Sequence, residues 1–246
     1  MLANNEVGTV QPVAEVAAAV AQRARALRRR IPVHTDAVQA PGALEVDVDR
    51  LGVDLLSLSG HKFGGPKGTG VLYIRRGTPF VSQMAGGGQE RQRRAGTENV
   101  AGIVGQAVAL RLAEEERETF VPTATALREQ LAQGILQSVP DSRLNGHPSE
   151  RLAGNVNLSF RGVRGDELVL ALDRAGIAAS AGAACGSNTW EPSHVLLAMG
   201  LSMPDAVGAL RLTIGPSNTA ADVQHVLAVL PDIVASLRTP RVARAG

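Results

Sequence analysis

Three short apolar runs constrain this chain more than any other feature. "IPVHTD" reads as a strand ending in polar residues at 34–36, "VDLLSLSG" as a strand at about 54–58, and "GTGVLYIRRG" as a strand at about 70–75. Ahead of them, Val13 to Arg30 alternates Val, Ala and Leu with Glu, Gln and Arg as a helix does, with Pro12 suited to its first turn. A helix followed by short buried strands whose carboxyl ends carry the polar residues is an α/β pattern, in which ligands gather at strand ends. His34, Asp36, Ser59, His61 and Lys62 all fall at such ends.

The polar loop "GGGQERQRRAGTEN" then leads to helical stretches expected at about 100–118 and 121–137. "RLAGNVNLSFRG" changes the texture, because Asn155, Asn157 and Ser159 alternate with Val156, Leu158 and Phe160 as in a half-buried strand. Helices at 165–175, 192–200 and 220–237 and a strand at 210–214 complete the reading. The expected division is a first domain over 1–130 and a smaller one over 131–246, the change of domain lying within 119–150.

With 246 residues the chain can bury one substantial core or two modest ones without disulfides. Four Phe, one Tyr and one Trp leave almost nothing to stack on nucleic-acid bases, so direct nucleic-acid binding is not expected. The run "RARALRRR" at 23–30 reads as a solvated helix terminus rather than a nucleic-acid footprint. No apolar stretch reads as long enough to span a bilayer, and a single cysteine allows no internal disulfide, so a cytoplasmic protein is expected. No histidine pair has helical zinc spacing, and "GGPKG" lacks the Ser or Thr that a phosphate loop places after its lysine.

An amine held among polar groups at the end of a buried strand can have its pKa lowered and form a Schiff base with an aldehyde. For Lys62 the competing reading is a solvated lysine beside a structural histidine. The neighbours favour the reactive amine. A pyridoxal phosphate site needs a lysine, an acid against the pyridine nitrogen and donors for the phosphate; Asp36 can supply the acid, Ser59 and His61 the donors. Cys185 in "SASAGAACGSNTWEPSHVL" is either a small buried hydrophobe or, on a Gly/Ala/Ser loop, a thiol presented to a ligand. Arg211 in "ALRLTIG" is either a strand's solvent-facing charge or a guanidinium aimed at a carboxylate.

Taken as a set, "ANNEVGTVQP" (3–12), "HTDAVQAPG" (34–42), "DLLSLSGHKFGGPKGTGVLYIRRG" (54–77), "GGGQERQRRAGTENVAGIVG" (86–105), "GAACGSNTWEPSHVLLAMGL" (182–201) and "LRLTIG" (210–215) resemble the cysteine desulfurases of iron–sulfur cluster assembly and nitrogenase maturation. The resemblance implies a partial large domain of the pyridoxal-phosphate-dependent transferase fold type I, followed by a smaller C-terminal α/β domain carrying the cysteine loop. It implies that Lys62 holds pyridoxal 5'-phosphate and later moves protons, that Asp36 partners the ring nitrogen and Gln39 the ring oxygen, and that Ser59 and His61 bind the phosphate. Thr97 would reach the phosphate of the other subunit in a homodimer. Asn5 and Arg211 would hold the carboxylate of L-cysteine, and Cys185 would receive its sulfur, with release of L-alanine.

An iron–sulfur scaffold or a sulfur-carrier protein would take that sulfur. No resident metal is implied beyond transient iron–sulfur ligation by Cys185. Selenocysteine cleavage, a transaminase in which Cys185 is incidental, and a non-catalytic interaction module are the alternatives. "AGAAC" stands where the family usually shows serine and glycine before the cysteine, and Gly186 replaces a more usual Thr or Ser. Family members also carry a long segment ahead of the "NNE" motif, with part of the phosphate site and a histidine that stacks on the cofactor. The expectation is therefore a later part of a longer fold, or a chain completed by a partner.

Overall fold

The computed structural model describes residues 1–182 and 191–239. They form two compact units: Met1–Ala3 with Gln11–Thr119, and Asn4–Val10 with the residues from Phe120 onward.

In the first unit helix α1 runs Val13–Ala26, shorter than the 13–30 expected. Arg28 has φ +48°, a left-handed conformation that ends a helix. Arg30 is not simply solvated: it bridges Asp54 at 3.2 Å, donates to Thr78 Oγ1 at 3.1 Å and to the Gly77 carbonyl, and so fastens the helix exit to the sheet. That sheet has the order β1 (His34–Asp36), β2 (Leu55–Ser59), β3 (Gly70–Ile74), with β1 parallel and β3 antiparallel to β2. Leu56 and Leu58 point into a core with Leu2, Ala37, Ala40, Val53 and Phe63, while His34 and Asp36 are exposed and Ser57 and Ser59 half-exposed. The period of two thus leaves one polar and one apolar face.

A one-turn segment α2 (Gln89–Gln92) contains left-handed Glu90 and Arg91. Helix α3 is continuous over Val100–Ser138, where two helices were expected, and Pro122 lies inside it. Pro122 has no N–H to donate to the preceding turn, yet Ala124, Leu127 and Leu131 just beyond it are buried core residues, and that burial holds the following turns helical.

The second unit is built on an antiparallel sheet β4 (Ser142–Leu144), β5 (Asn155–Phe160), β6 (Ala209–Thr213), in that order. Its apolar face, Val156, Leu158, Phe160, Leu210 and Leu212, packs on α3 from Ala124 onward, on α4 (Gly165–Arg174) and on α7 (Ala220–Arg238). Helix α7 opens with a capping box between Thr219 and Asp222. Among the described residues, α7 is the one helix that by length and composition is apolar enough to cross a membrane, which corrects the sequence reading. Its Val223, Val226, Leu230 and Val234 stripe belongs to the sheet core, as in an amphipathic core helix.

The expected half-buried character of β5 is also corrected: all six of its residues are buried. Its second face meets residues 4–10 instead of water, and Val7, Leu196 and Ala209 join in a small cluster with residues of α5 (His194–Ala198) and α6 (Met203–Val207). These two short helices replace the single helix expected at 192–200, and each is capped by a serine, Ser193 and Ser202.

Candidate active site

The first unit gathers five of the expected residues around the carboxyl ends of two neighbouring parallel strands. Asp36 ends β1 opposite Ser57 of β2, and its Oδ1 accepts the Val38 N–H at 2.9 Å. The turn that follows, closed by Ala40 N–H to the Ala37 carbonyl at 2.9 Å, carries Gln39 half-exposed. Ser59 ends β2, and its hydroxyl shares a 2.9 Å hydrogen bond with His61 Nδ1. His61 and exposed Lys62 sit on a 3-10 turn, Gly60–Phe63, anchored by buried Phe63.

The glycines around that turn have a local reason. Gly64, at φ +82°, reverses the chain, and a Cβ on Gly60 would stand 2.4 Å from Thr69 Oγ1. Sequence reasoning placed His34 at a strand end without giving it a role; its Nε2 bonds Ser57 Oγ at 2.7 Å on the same polar face as Asp36. Its position two residues before Asp36 puts both on one face of β1. Thr97 is exposed, between α2 and α3.

In the second unit the structure joins Asn5 and Arg211: Arg211 Nη1 donates to the Asn5 carbonyl at 2.9 Å. Arg211 is half-buried, not a solvent-facing strand charge, and its Nε has no partner among the described residues, which leaves the guanidinium a donor for a carboxylate. The preceding residues are held tightly. Asn4 Oδ1 accepts the N–H groups of Glu6 and Val7, and Arg151 Nη2 donates to the Val7 carbonyl at 2.8 Å. Burial, with Arg128 alongside, pushes the Arg151 guanidinium down to about 10, still charged at neutral pH. Glu6, which sequence reasoning did not single out, is buried and accepts the Ser193 hydroxyl at 2.5 Å. Cys185 lies outside the described residues. Among the described residues no group of His, Cys, Asp and Glu could hold a metal ion.

An exposed lysine near a hydroxyl–imidazole pair and a carboxylate, all at or just after strand ends, could hold an aldehyde- and phosphate-bearing cofactor. Comparison with known proteins decides the family: the model of the class-V aminotransferases matches residues 1–226. The chain belongs to the class-V aminotransferase family.

Among its class-V relatives, the cysteine desulfurase IscS of Methanosarcina thermophila is 50% identical over 238 residues, covering 97% of this chain and 57% of that protein. An IscS-like cysteine desulfurase of Mycobacterium tuberculosis is 44% identical over 247 residues, covering 100% of this chain and 61% of its own. Of solved structures, a NifS-like protein superposes with TM-score 0.86 at 37% identity, over 96% of this chain and 60% of the other. SspA in complex with cysteine gives TM-score 0.69 at 33% identity, over 89% and 58%. This class-V chain has the α/β architecture of fold type I, with a smaller C-terminal α/β part. It spans 57% to 62% of the length of the curated relatives it matches.

Proposed function

We propose that this chain serves a pyridoxal-phosphate-dependent cysteine desulfurase, moving the sulfur of L-cysteine to the Cys185 thiol and releasing L-alanine. One observation carries the reading: Lys62 stands beside the Ser59–His61 pair at the end of β2, next to the parallel strand that ends in Asp36. An amine, a carboxylate and two phosphate donors are the chemistry that pyridoxal 5'-phosphate requires, so the residues fit the group. When bound, the cofactor supplies an aldehyde for the amine and a protonated ring that draws electrons from the substrate's Cα.

The protein groups have separable tasks. Asp36 keeps the proton on the ring nitrogen, Gln39 donates to the ring oxygen, and Ser59 and His61 donate to the phosphate. Thr97 serves the phosphate of the other subunit in a homodimer. Lys62 Nζ would hold the aldehyde until the substrate amine takes its place, and the freed amine would then take the Cα proton of the substrate. Arg211 and Asn5 hold the substrate carboxylate. The Cys185 thiolate would form an S–S bond to the substrate sulfur as the Cβ–S bond breaks; Cβ would then gain a proton and Lys62 return one to Cα, leaving L-alanine and a Cys185 persulfide.

The proposed division is 1–130 as a partial cofactor-binding large domain, which also contributes Asn5 to the carboxylate site, and 131–246 as a small domain bearing the cysteine. The relative solved in complex with cysteine supports L-cysteine as substrate. A scaffold for iron–sulfur clusters or a sulfur-carrier protein is the proposed acceptor, and the cytoplasm the proposed compartment.

The test supplies pyridoxal 5'-phosphate and L-cysteine and follows L-alanine with persulfide on the Cys185 peptide. The wild type is expected to form both and Cys185→Ser neither. Equal alanine from both proteins, or a keto acid in its place, would overturn the desulfurase reading in favour of a lyase or transaminase.

A further inference from the structure

We infer that Asn157 is the positioning residue that sets Asn5 beside Arg211; the inference rests on the proposed carboxylate role of that pair. Asn157 and Arg211 are direct partners across β5 and β6, so their side chains rise together from one face of the sheet. Both reach the same stretch of chain. Arg211 Nη1 takes the Asn5 carbonyl at 2.9 Å, and Asn157 Nδ2 takes the next one, that of Glu6, at 3.1 Å. Asn155 Nδ2 adds a second donor to Glu6 at 3.2 Å, and Arg151 holds the carbonyl after it. Three consecutive carbonyls, of residues 5, 6 and 7, are thus captured by side chains.

Asn157 cannot turn away from this task. Its Oδ1 receives Asn145 Nδ2 at 2.8 Å, and the same Asn145 amide group donates to Ser159 Oγ at 2.8 Å. The Asn145 main-chain N–H also bonds the Asn157 carbonyl at 2.8 Å. Asn145 and Asn157 are each 1% exposed. A strand buried on both faces would ordinarily be apolar, because an unsatisfied buried amide is costly. Here Asn155 and Asn157 both donate amide N–H groups to the Glu6 carbonyl, and the Ser159 hydroxyl accepts one from Asn145. Close fit enforces the placement, since a Cβ on Gly8, at φ +76°, would lie 2.7 Å from Asn155 Oδ1.

The test compares Asn157→Asp, which turns an oxygen toward the Glu6 carbonyl, with Ser159→Ala, which removes a buried hydrogen bond of the same row without touching residues 4–8. Two readouts are taken on the full chain: hydrogen exchange in residues 4–8, and calorimetric binding of L-alanine against L-alaninamide with pyridoxal 5'-phosphate supplied. Asn157→Asp is expected to speed exchange in 4–8 and to cut the preference for the carboxylate ligand by about tenfold, the size of one lost hydrogen bond to a charged or buried group. Ser159→Ala is expected to keep both near wild type. Should the aspartate variant not fold, Asn157→Ser, which loses the amide without adding charge, is read the same way.

A wild-type preference that survives in the Asn157 variant, or is lost equally in Ser159→Ala, overturns the positioning role while leaving the carboxylate reading intact. No preference in the wild type removes the carboxylate role of Asn5 and Arg211, and the inference with it.

Discussion

Asp205, in the first turn of α6, accepts the Ser202 hydroxyl at 2.7 Å and bridges Arg161 at 3.2 Å. The Ser202 hydrogen bond, and after it Arg161, hold its carboxyl below the usual carboxylate range. A carboxyl whose folded pKa is depressed adds stability above its unfolded value and loses it as pH falls through the folded one. Thermal melts of wild type and Asp205→Asn should therefore differ most near neutral pH and converge as the pH drops below the ordinary carboxylate range. A constant difference across that range would contradict the assignment. The same local logic made Lys62, Asp36 and Ser59 legible in the sequence: each ends a short apolar run, and a period of two fixes which face it takes. Glu6 and Asn157 were not legible, because their partners, Ser193 for the one and Asn145 with the Glu6 backbone for the other, are distant in sequence, and an alternating pattern reads alike whether its polar face meets water or another polar segment.

Among elements, the second sheet and the long helix carry the sharpest expectations. Gly208 precedes β6 so closely against β5 that a Cβ there would lie 2.1 Å from the Phe160 carbonyl oxygen. Gly208→Ala must push the backbone apart and should cost about 2–4 kcal/mol in a denaturant titration. Pro122 is the opposite case. It is exposed within α3 and leaves one helical hydrogen bond unmade, so Pro122→Ala should stabilise the protein by roughly 1–3 kcal/mol, seen as a higher unfolding midpoint. Sequence rules end a helix near such a proline; the buried residues that follow it are what override the rule, and burial is a property of the fold rather than of the local stretch. The positions of β1, β2, β4's neighbour β5, β6 and α7 follow closely from hydrophobic period, whereas β4, three residues long, offers too little pattern to be read.

For the whole molecule, the proposed cofactor-holding end lies in one compact unit, at strand ends, and the proposed carboxylate-holding pair in the other, on the middle of β6 and the segment that covers it. In the proposed function Lys62 is the reactive amine. The chain offers an internal control, since its only two lysines are Lys62 and Lys67, both exposed and on the same glycine-rich stretch. The protein is incubated with pyridoxal 5'-phosphate, reduced with borohydride, and the labelled peptide is mapped by mass spectrometry, with Lys67→Arg and Lys62→Ala alongside. The phosphopyridoxyl group is expected on Lys62 in the wild type and in Lys67→Arg, with no label in Lys62→Ala. A label on Lys67, or one shared evenly between the two lysines, would contradict it.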